Sequence, residues 1–198
     1  MRGFAIIPVC LLIILLLVYF DGSAQDYVVT SKGDTVSGQV KPFLHGVDKK
    51  VQLTGEKKKK TIYPMFQVRS FHYKNDIYQP VKGPEGYVFM KLIKSGYLSL
   101  YNFQLPNQVA FDGSFLLRRD GQGMEVPNLS FKKFMKNFLE DCPDVVARID
   151  NGDLGKKELN QIIDEYNLCI NEKTIDHGKV IAEKKVQGKI ITAWDVLE

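Results

Sequence analysis

The side chains with most scope for chemistry in this sequence are its histidines and cysteines, three of each. Histidine titrates near neutral pH and is the commonest metal ligand, so its neighbours decide whether it can serve as acid, base or ligand. His45 stands beside Gly46 in a loop-like stretch, His72 within an apolar alternation, and His177 beside Gly178. No two are spaced as H-x-x-x-H, and neither Cys142 nor Cys169 has a histidine at zinc-ligand spacing. A local metal motif is absent, which leaves open only a site assembled from distant residues. Ser70, Ser95, Ser99 and Ser114 lack the G-x-S-x-G turn that presents a nucleophile. No P-loop occurs, and Gly121-Gln122-Gly123 matches only a fragment of the dinucleotide fingerprint, as a turn would. Asp150-Asn151-Gly152-Asp153-Leu154-Gly155 begins like a calcium loop. With Asp150 at position 1, however, Gly152 and Leu154 fall at positions 3 and 5, and Gln161 takes position 12, where a bidentate Glu is needed. The segment is better explained as a helix stop, a turn and a new cap. No cofactor or metal site is expected.

Lys57-Lys58-Lys59-Lys60 is the most conspicuous local charge. Like charges repel and prefer water, so the run is expected at a solvated hairpin tip. Contact with a polyanion or anionic lipid is the alternative. No aromatic interleaves the lysines, and nucleic acid is not an expected partner. The aromatic content, 9 Tyr and 12 Phe, suits either a ligand pocket or a core, and strand spacing favours the core.

These residues belong to a chain whose start is a targeting signal. Arg2 precedes an uncharged apolar run from Phe4 to Phe20, and Asp21-Gly22-Ser23-Ala24-Gln25 closes it with small residues. That is the pattern of a secretory signal peptide cleaved between Ala24 and Gln25, with Gly22 and Ala24 facing the peptidase. An uncleaved membrane anchor is the alternative, although Pro8 interrupts a run barely long enough to span the hydrocarbon. Cys10 lies early in the apolar run behind Ile7-Pro8-Val9, which argues against a lipoprotein. The exported chain would keep Cys142 and Cys169, and in an oxidising compartment such a pair is expected as a disulfide, with two buried thiols as the alternative. Residues 26–140 carry 18 Lys+Arg against 10 Asp+Glu, whereas residues 141–198 carry 8 against 12. The chain is thus basic in front and acidic behind.

The elements follow from periodicity. Tyr27–Thr30 and Thr35–Val40 around Gly33, Val51–Leu53 and Thr61–Tyr63 around the lysines, and Gln67–Tyr73 and Ile77–Val81 around Asn75-Asp76 are expected hairpins. Pro64 and Pro80 should mark strand ends or edges. In the clearest hairpin, Tyr87 to Leu105, both faces are apolar, so the sheet should be covered on both sides. Phe115–Arg119 and Met124–Val126 form the last pair. From Ser130 the period becomes helical: Phe131, Phe134, Met135, Phe138 and Leu139 behind a Ser130 cap; Val145, Val146 and Ile149 after Pro143; and Leu159, Ile162, Ile163, Tyr166 and Ile170 with Asp153 as cap. On the third wheel Cys169 borders the apolar stripe and should face the other helices. Lys179–Ala182 and Lys189–Trp194 look β-like. The expected organisation is a signal peptide over 1–24, a β-rich region over 25–128, three helices over 129–171 and a tail over 172–198. The fold class is α+β, with a twisted antiparallel sheet or small open barrel followed by a compact three-helix segment.

The hairpin Thr30-Ser31-Lys32-Gly33-Asp34-Thr35-Val36-Ser37-Gly38, the ending Ala24-Gln25, and Phe131…Phe138-Leu139-Glu140-Asp141-Cys142-Pro143…Tyr166-Asn167-Leu168-Cys169 resemble a loose group of uncharacterised exported proteins from Bacteroidetes. In some of that group a similar region precedes an outer-membrane β-barrel. The resemblance spans residues 1–170. It implies location in the periplasm, outer envelope or medium and pairing of Cys142 with Cys169, and it carries over no catalytic residue. The expected function is a non-enzymatic module that binds an envelope protein or a small ligand. An exported hydrolase with a dispersed site and a small lipophile carrier are the alternatives. Membrane contact is open through an uncleaved N-terminus or the lysine run.

Overall fold

A computed structural model describes residues 25–46, 48–105, 108 and 110–186. The signal segment 1–24 and the β-like stretch Lys189–Trp194 lie outside the described residues. Strands follow one another as β1 (Tyr27–Thr30), β2 (Thr35–Ser37), β3 (Gln39–Phe43), β4 (Lys50–Thr54), β5 (Lys60–Pro64), β6 (Val68–Tyr73), β7 (Asp76–Gly83), β8 (Gly86–Lys94), β9 (Leu98–Phe103), β10 (Gly113–Arg118) and β11 (Gly123–Glu125). After them come α1 (Phe131–Phe138), α2 (Pro143–Asn151) and α3 (Leu159–Val186). The fold is α+β. An eight-stranded antiparallel sheet runs in the order β11-β10-β9-β8-β7-β6-β1-β2, and β3-β4-β5 form a separate three-stranded sheet.

The expected strand Thr35–Val40 breaks at Gly38, where the chain leaves one sheet for the other. A Cβ at Gly38 would stand 2.6 Å from the Thr54 carbonyl oxygen, so only glycine allows the crossing. Alternation then decides what the small sheet buries. Val40, Val51 and Leu53 point inward against Val28, Val68, Phe71, Tyr78 and Phe89 of the large sheet. Phe71 stacks on Tyr78 at 4.9 Å and meets Phe89 edge-on at 5.1 Å, so the aromatics here fill a core. The β6–β7 turn falls on Lys74-Asn75, both at positive φ, one residue before the expected Asn75-Asp76. Pro80 lies past Tyr78↔Phe71, the last pair β7 makes with β6, so it occupies a local edge within an inner strand.

Farther along, the sheet curls until β11 lies against β7, without closing a barrel. Val81, Met90, Tyr101 and Phe115 fill the concave side, and the Tyr101 hydroxyl donates to Gln79 Oε1 across it at 2.8 Å. Glycines make the curl possible. A Cβ at Gly123 would meet the Phe115 ring at 2.7 Å, and one at Gly113 the Phe103 ring at 2.6 Å. The opposite face of the same strands offers Leu98, Leu100 and Leu116 to the helices. The hairpin with two apolar faces is thus covered on one side by its own curl and on the other by helices.

The helices bury Met135, Leu139, Val145, Ile149, Ile162, Ile163 and Tyr166 there, while Phe134, expected inward, is 49% exposed. Ser130 occupies the first cap position with left-handed φ and no side-chain cap hydrogen bond, which corrects its expected role. Pro143 opens α2, and Gly152 at φ +90° stops it, as the calcium-like segment had suggested. Leu154 within that segment is fully buried. Asp153 does not cap α3. Gly155 precedes a 3₁₀ turn (Lys156–Glu158), and its N–H donates to Glu158 Oε2 at 3.0 Å. Lys179–Ala182, expected as β, continues α3, in a stretch where Lys, Glu and Ala supply helix propensity that outweighs Val180 and Ile181.

Candidate interaction surface

Register in the small sheet fixes which side chains face outward. The pairs run Gln39↔Thr54↔Lys60, Lys41↔Gln52↔Ile62 and Phe43↔Lys50↔Pro64 on the face opposite Val40, Leu53 and Val51. That outer face holds Lys41, Lys50 and Lys60 and no carboxylate. Lys41 and Lys50 place Nζ over the Phe43 ring, 5.5 and 5.8 Å from its centroid, so an aromatic holds two ammonium groups side by side on this face. The 3₁₀ turn Glu56–Lys58 ends the same hairpin with Lys57 and Lys58 at positive φ. Lys57–Lys60 are all exposed, at the solvated tip the sequence had suggested. Among the described residues, none of Lys41, Lys50 and Lys57–Lys60 takes part in an ion pair.

Beside this face lies a cleft of about 740 Å³, lined by Lys49, Lys50, Pro64, Phe66, Pro80 and Tyr87 among others. It forms where β5 passes into β6 opposite the unpaired part of β7. Phe66 is 77% exposed, Tyr87 59%, and Ile62 on the adjoining outer face 54%. In the sequence Tyr87 is legible only as a strand start, and nothing local marks Phe66 or Ile62 as surface residues. Period-2 alternation in Lys60–Pro64 placed Ile62 opposite Tyr63, but only the sheet pairing shows which of the two is covered.

A second cleft, of about 450 Å³, opens at the mouth of the curled sheet. Val88, Met90 and Phe103 form its floor, and His45, Glu85 and Glu125 stand around it. These are the carboxylates and histidine a hydrolase would need, yet all of them are exposed, and no hydrogen bond or ion pair among the described residues joins one to another. Behind the floor the curl is filled by side chains. His72 is elsewhere, buried on β6 with Tyr27 stacked at 5.3 Å and Asp26 Oδ1 3.5 Å from Nδ1. No cluster of three His, Cys, Asp or Glu suited to a metal occurs among the described residues. The side chain of His177 is not among those described.

At the helical end, Cys142 and Cys169 form a disulfide, with Cα atoms 6.3 Å apart. Arg118 of β10 reaches across to the helices there. It donates to the Phe138 carbonyl at 3.2 Å and pairs with Asp141 at 2.6 Å and Asp120 at 2.9 Å. Its guanidinium lies between the rings of Tyr97 and Tyr166, and the Tyr166 hydroxyl donates to Asp141 Oδ2 at 3.0 Å. Burial, then the hydrogen bond to Asp141, push the Tyr166 phenol well above its usual range. Asn167 acts as a substitute strand partner. Its Oδ1 accepts from Leu98 N–H at 2.7 Å, and its Nδ2 donates to Leu98 O at 3.0 Å. Leu129, Phe134, Leu168 and Ile175 are exposed at this end but line neither cleft. Gln25 is exposed, and Ala24 lies outside the described residues. Among the described residues, no helix is long and apolar enough to cross a membrane. No protein-family model matches the chain, and no curated protein or solved structure matches it either.

Proposed function

We propose that the chain is an exported, non-enzymatic protein of the cell envelope that binds a partner protein through the cleft between the small sheet and β7–β8. One observation carries the reading. Phe66 and Tyr87 stand more than half exposed around one concavity, and clustered apolar surface of that kind is costly to expose unless a partner covers it. The Cys142–Cys169 disulfide supports export, because such bonds persist where the surroundings are oxidising. The resemblance to exported Bacteroidetes proteins points the same way, to an envelope location after cleavage between Ala24 and Gln25. The hydrolase reading is weaker because His45, Glu85 and Glu125 form no joined acid–base set. A lipophile carrier needs a dry interior, whereas Val81, Met90, Tyr101 and Phe115 occupy that space. Co-purification from the native envelope tests the proposal. Phe66→Ser with Tyr87→Ser should release the bound partner while leaving the circular dichroism spectrum unchanged. Equal recovery of the same partner by the folded double variant would refute the assignment.

A further inference from the structure

We infer that the outer face of the three-stranded sheet, with the Lys57–Lys60 tip, is a docking surface for an anionic phospholipid bilayer. This goes beyond partner binding in the cleft and does not depend on it. The sequence alone gives a run of lysines at a hairpin end, which solvation by itself explains. Register adds Lys41, Lys50 and Lys60 to the same side of the same hairpin pair, around Phe43 and Ile62, with no carboxylate between the rows. Glu56 stands in the tip turn beside the lysines and Asp48 in the loop before β4, so neither acid lies on the face itself. The lysines are not committed to ion pairs among the described residues, so their attraction is available to an external anion.

Charge alone would suit any polyanion, but the apolar content of the face selects among them. Ile62, 54% exposed, stands one residue beyond Thr61 from Lys60 and directly across from Gln52. A soluble polyanion gains nothing from that side chain, whereas a bilayer offers phosphates to the lysines and an apolar boundary to Ile62 and the Phe43 ring. Lys41 and Lys50, with Nζ over the Phe43 ring, set two cationic groups against an aromatic on this face, a pairing of charge and apolar surface suited to the headgroup boundary.

Sedimentation with phosphatidylcholine vesicles, with and without phosphatidylglycerol, tests the inference on the chain purified from its host, after subtracting binding to phosphatidylcholine alone. Binding should require phosphatidylglycerol and fall with added salt. Each lysine near an anionic surface contributes roughly a fivefold factor, so changing Lys57–Lys60 together to Ser should weaken binding by more than about a hundredfold. Lys41→Ser with Lys50→Ser should weaken it by roughly twenty-fivefold. Ile62→Ser should reduce binding without altering its salt dependence. Lys133→Ser with Lys157→Ser, on the helical side, should change nothing. Undiminished vesicle binding by the four-lysine variant, or an equal loss in the Lys133/Lys157 control, would overturn the inference. So would binding to heparin that equals vesicle binding and is indifferent to Ile62, since the ligand would then be a soluble polyanion.

Discussion

The two ends of the large sheet solve different problems. At the β9–β10 end, charges and hydrogen-bonding groups are consumed internally. Arg118 is held by Asp120, Asp141 and two tyrosines, Asn167 bonds the Leu98 backbone at the end of β9 that β8 leaves unpaired, and a disulfide ties the start of α2 to α3. At the β1–β6 end, the small sheet buries one face of short strands and leaves the other rich in lysines that make no ion pair among the described residues, beside the cleft that holds Phe66 and Tyr87. The charge asymmetry along the chain follows this division: the acidic stretch after residue 140 supplies Asp141 and Asp164 to partners on the sheet, Arg118 and Lys94, while Lys41, Lys50 and Lys57–Lys60 of the basic stretch find no such partners among the described residues. The comparison teaches where to seek function. Groups already satisfied within the fold stabilise it, and groups left unsatisfied at the surface are available for recognition.

Perturbations of the helical end should therefore cost stability, and those of the small sheet should cost binding. The largest expected effect is removal of the disulfide by Cys142→Ser with Cys169→Ser. The cysteines are 27 residues apart, and opening such a loop should lower unfolding free energy by about 3–4 kcal/mol in urea titrations. Arg118→Ala should cost about 2–3 kcal/mol by the same measurement, since it removes the cationic partner of Asp141 and Asp120 and the donor to the Phe138 carbonyl. Gly38→Ala, which forces a methyl against the Thr54 carbonyl, should cost about 1–2 kcal/mol and loosen the joint between the sheets. A pH effect comes next. The folded pKa of Tyr166 is raised, so above its unfolded value near 10 the folded state keeps a proton that the unfolded state gives up. Stability should fall as pH rises past that point, and Tyr166→Phe should make the fall shallower, though not abolish it, because burial also raises Tyr78 to about 12. The smallest effect belongs to the other end: Phe66→Ser should shift stability by no more than about 0.5 kcal/mol.

Much of this was legible in one dimension. Hairpin order, the helical period from Phe131 and the pairing of Cys142 with Cys169 all depend on local pattern or on chemistry with few alternatives. What escaped was set by partners distant in sequence. Thr35–Val40 looked like one strand because nothing nearby signals that Gly38 must pass the Thr54 carbonyl. Ser130 has the right residue type for a cap, yet its left-handed backbone turns the hydroxyl away from that duty. Phe134 fits the apolar stripe of an isolated helix but overhangs the edge of what α1 actually covers. Lys179–Ala182 has β-branched residues in a helix that began at Leu159, and propagation from an established helix costs less than starting a strand. The binding surface was the least visible. Lys57–Lys60 is obvious as a run, whereas Lys41, Lys50 and Ile62 join it only through cross-strand register.

The contrast between a self-contained helical end and a receptive small-sheet end is tested most directly by site-specific photocrosslinking in the native host. A photoreactive phenylalanine analogue would replace Phe66 or Tyr87 at one end and Phe134 or Leu168 at the other, all exposed apolar positions. The expected result is a discrete adduct from positions 66 and 87 and none from 134 and 168. Adducts from 134 or 168 with none from 66 and 87 would contradict the account and move the interaction surface to the helices.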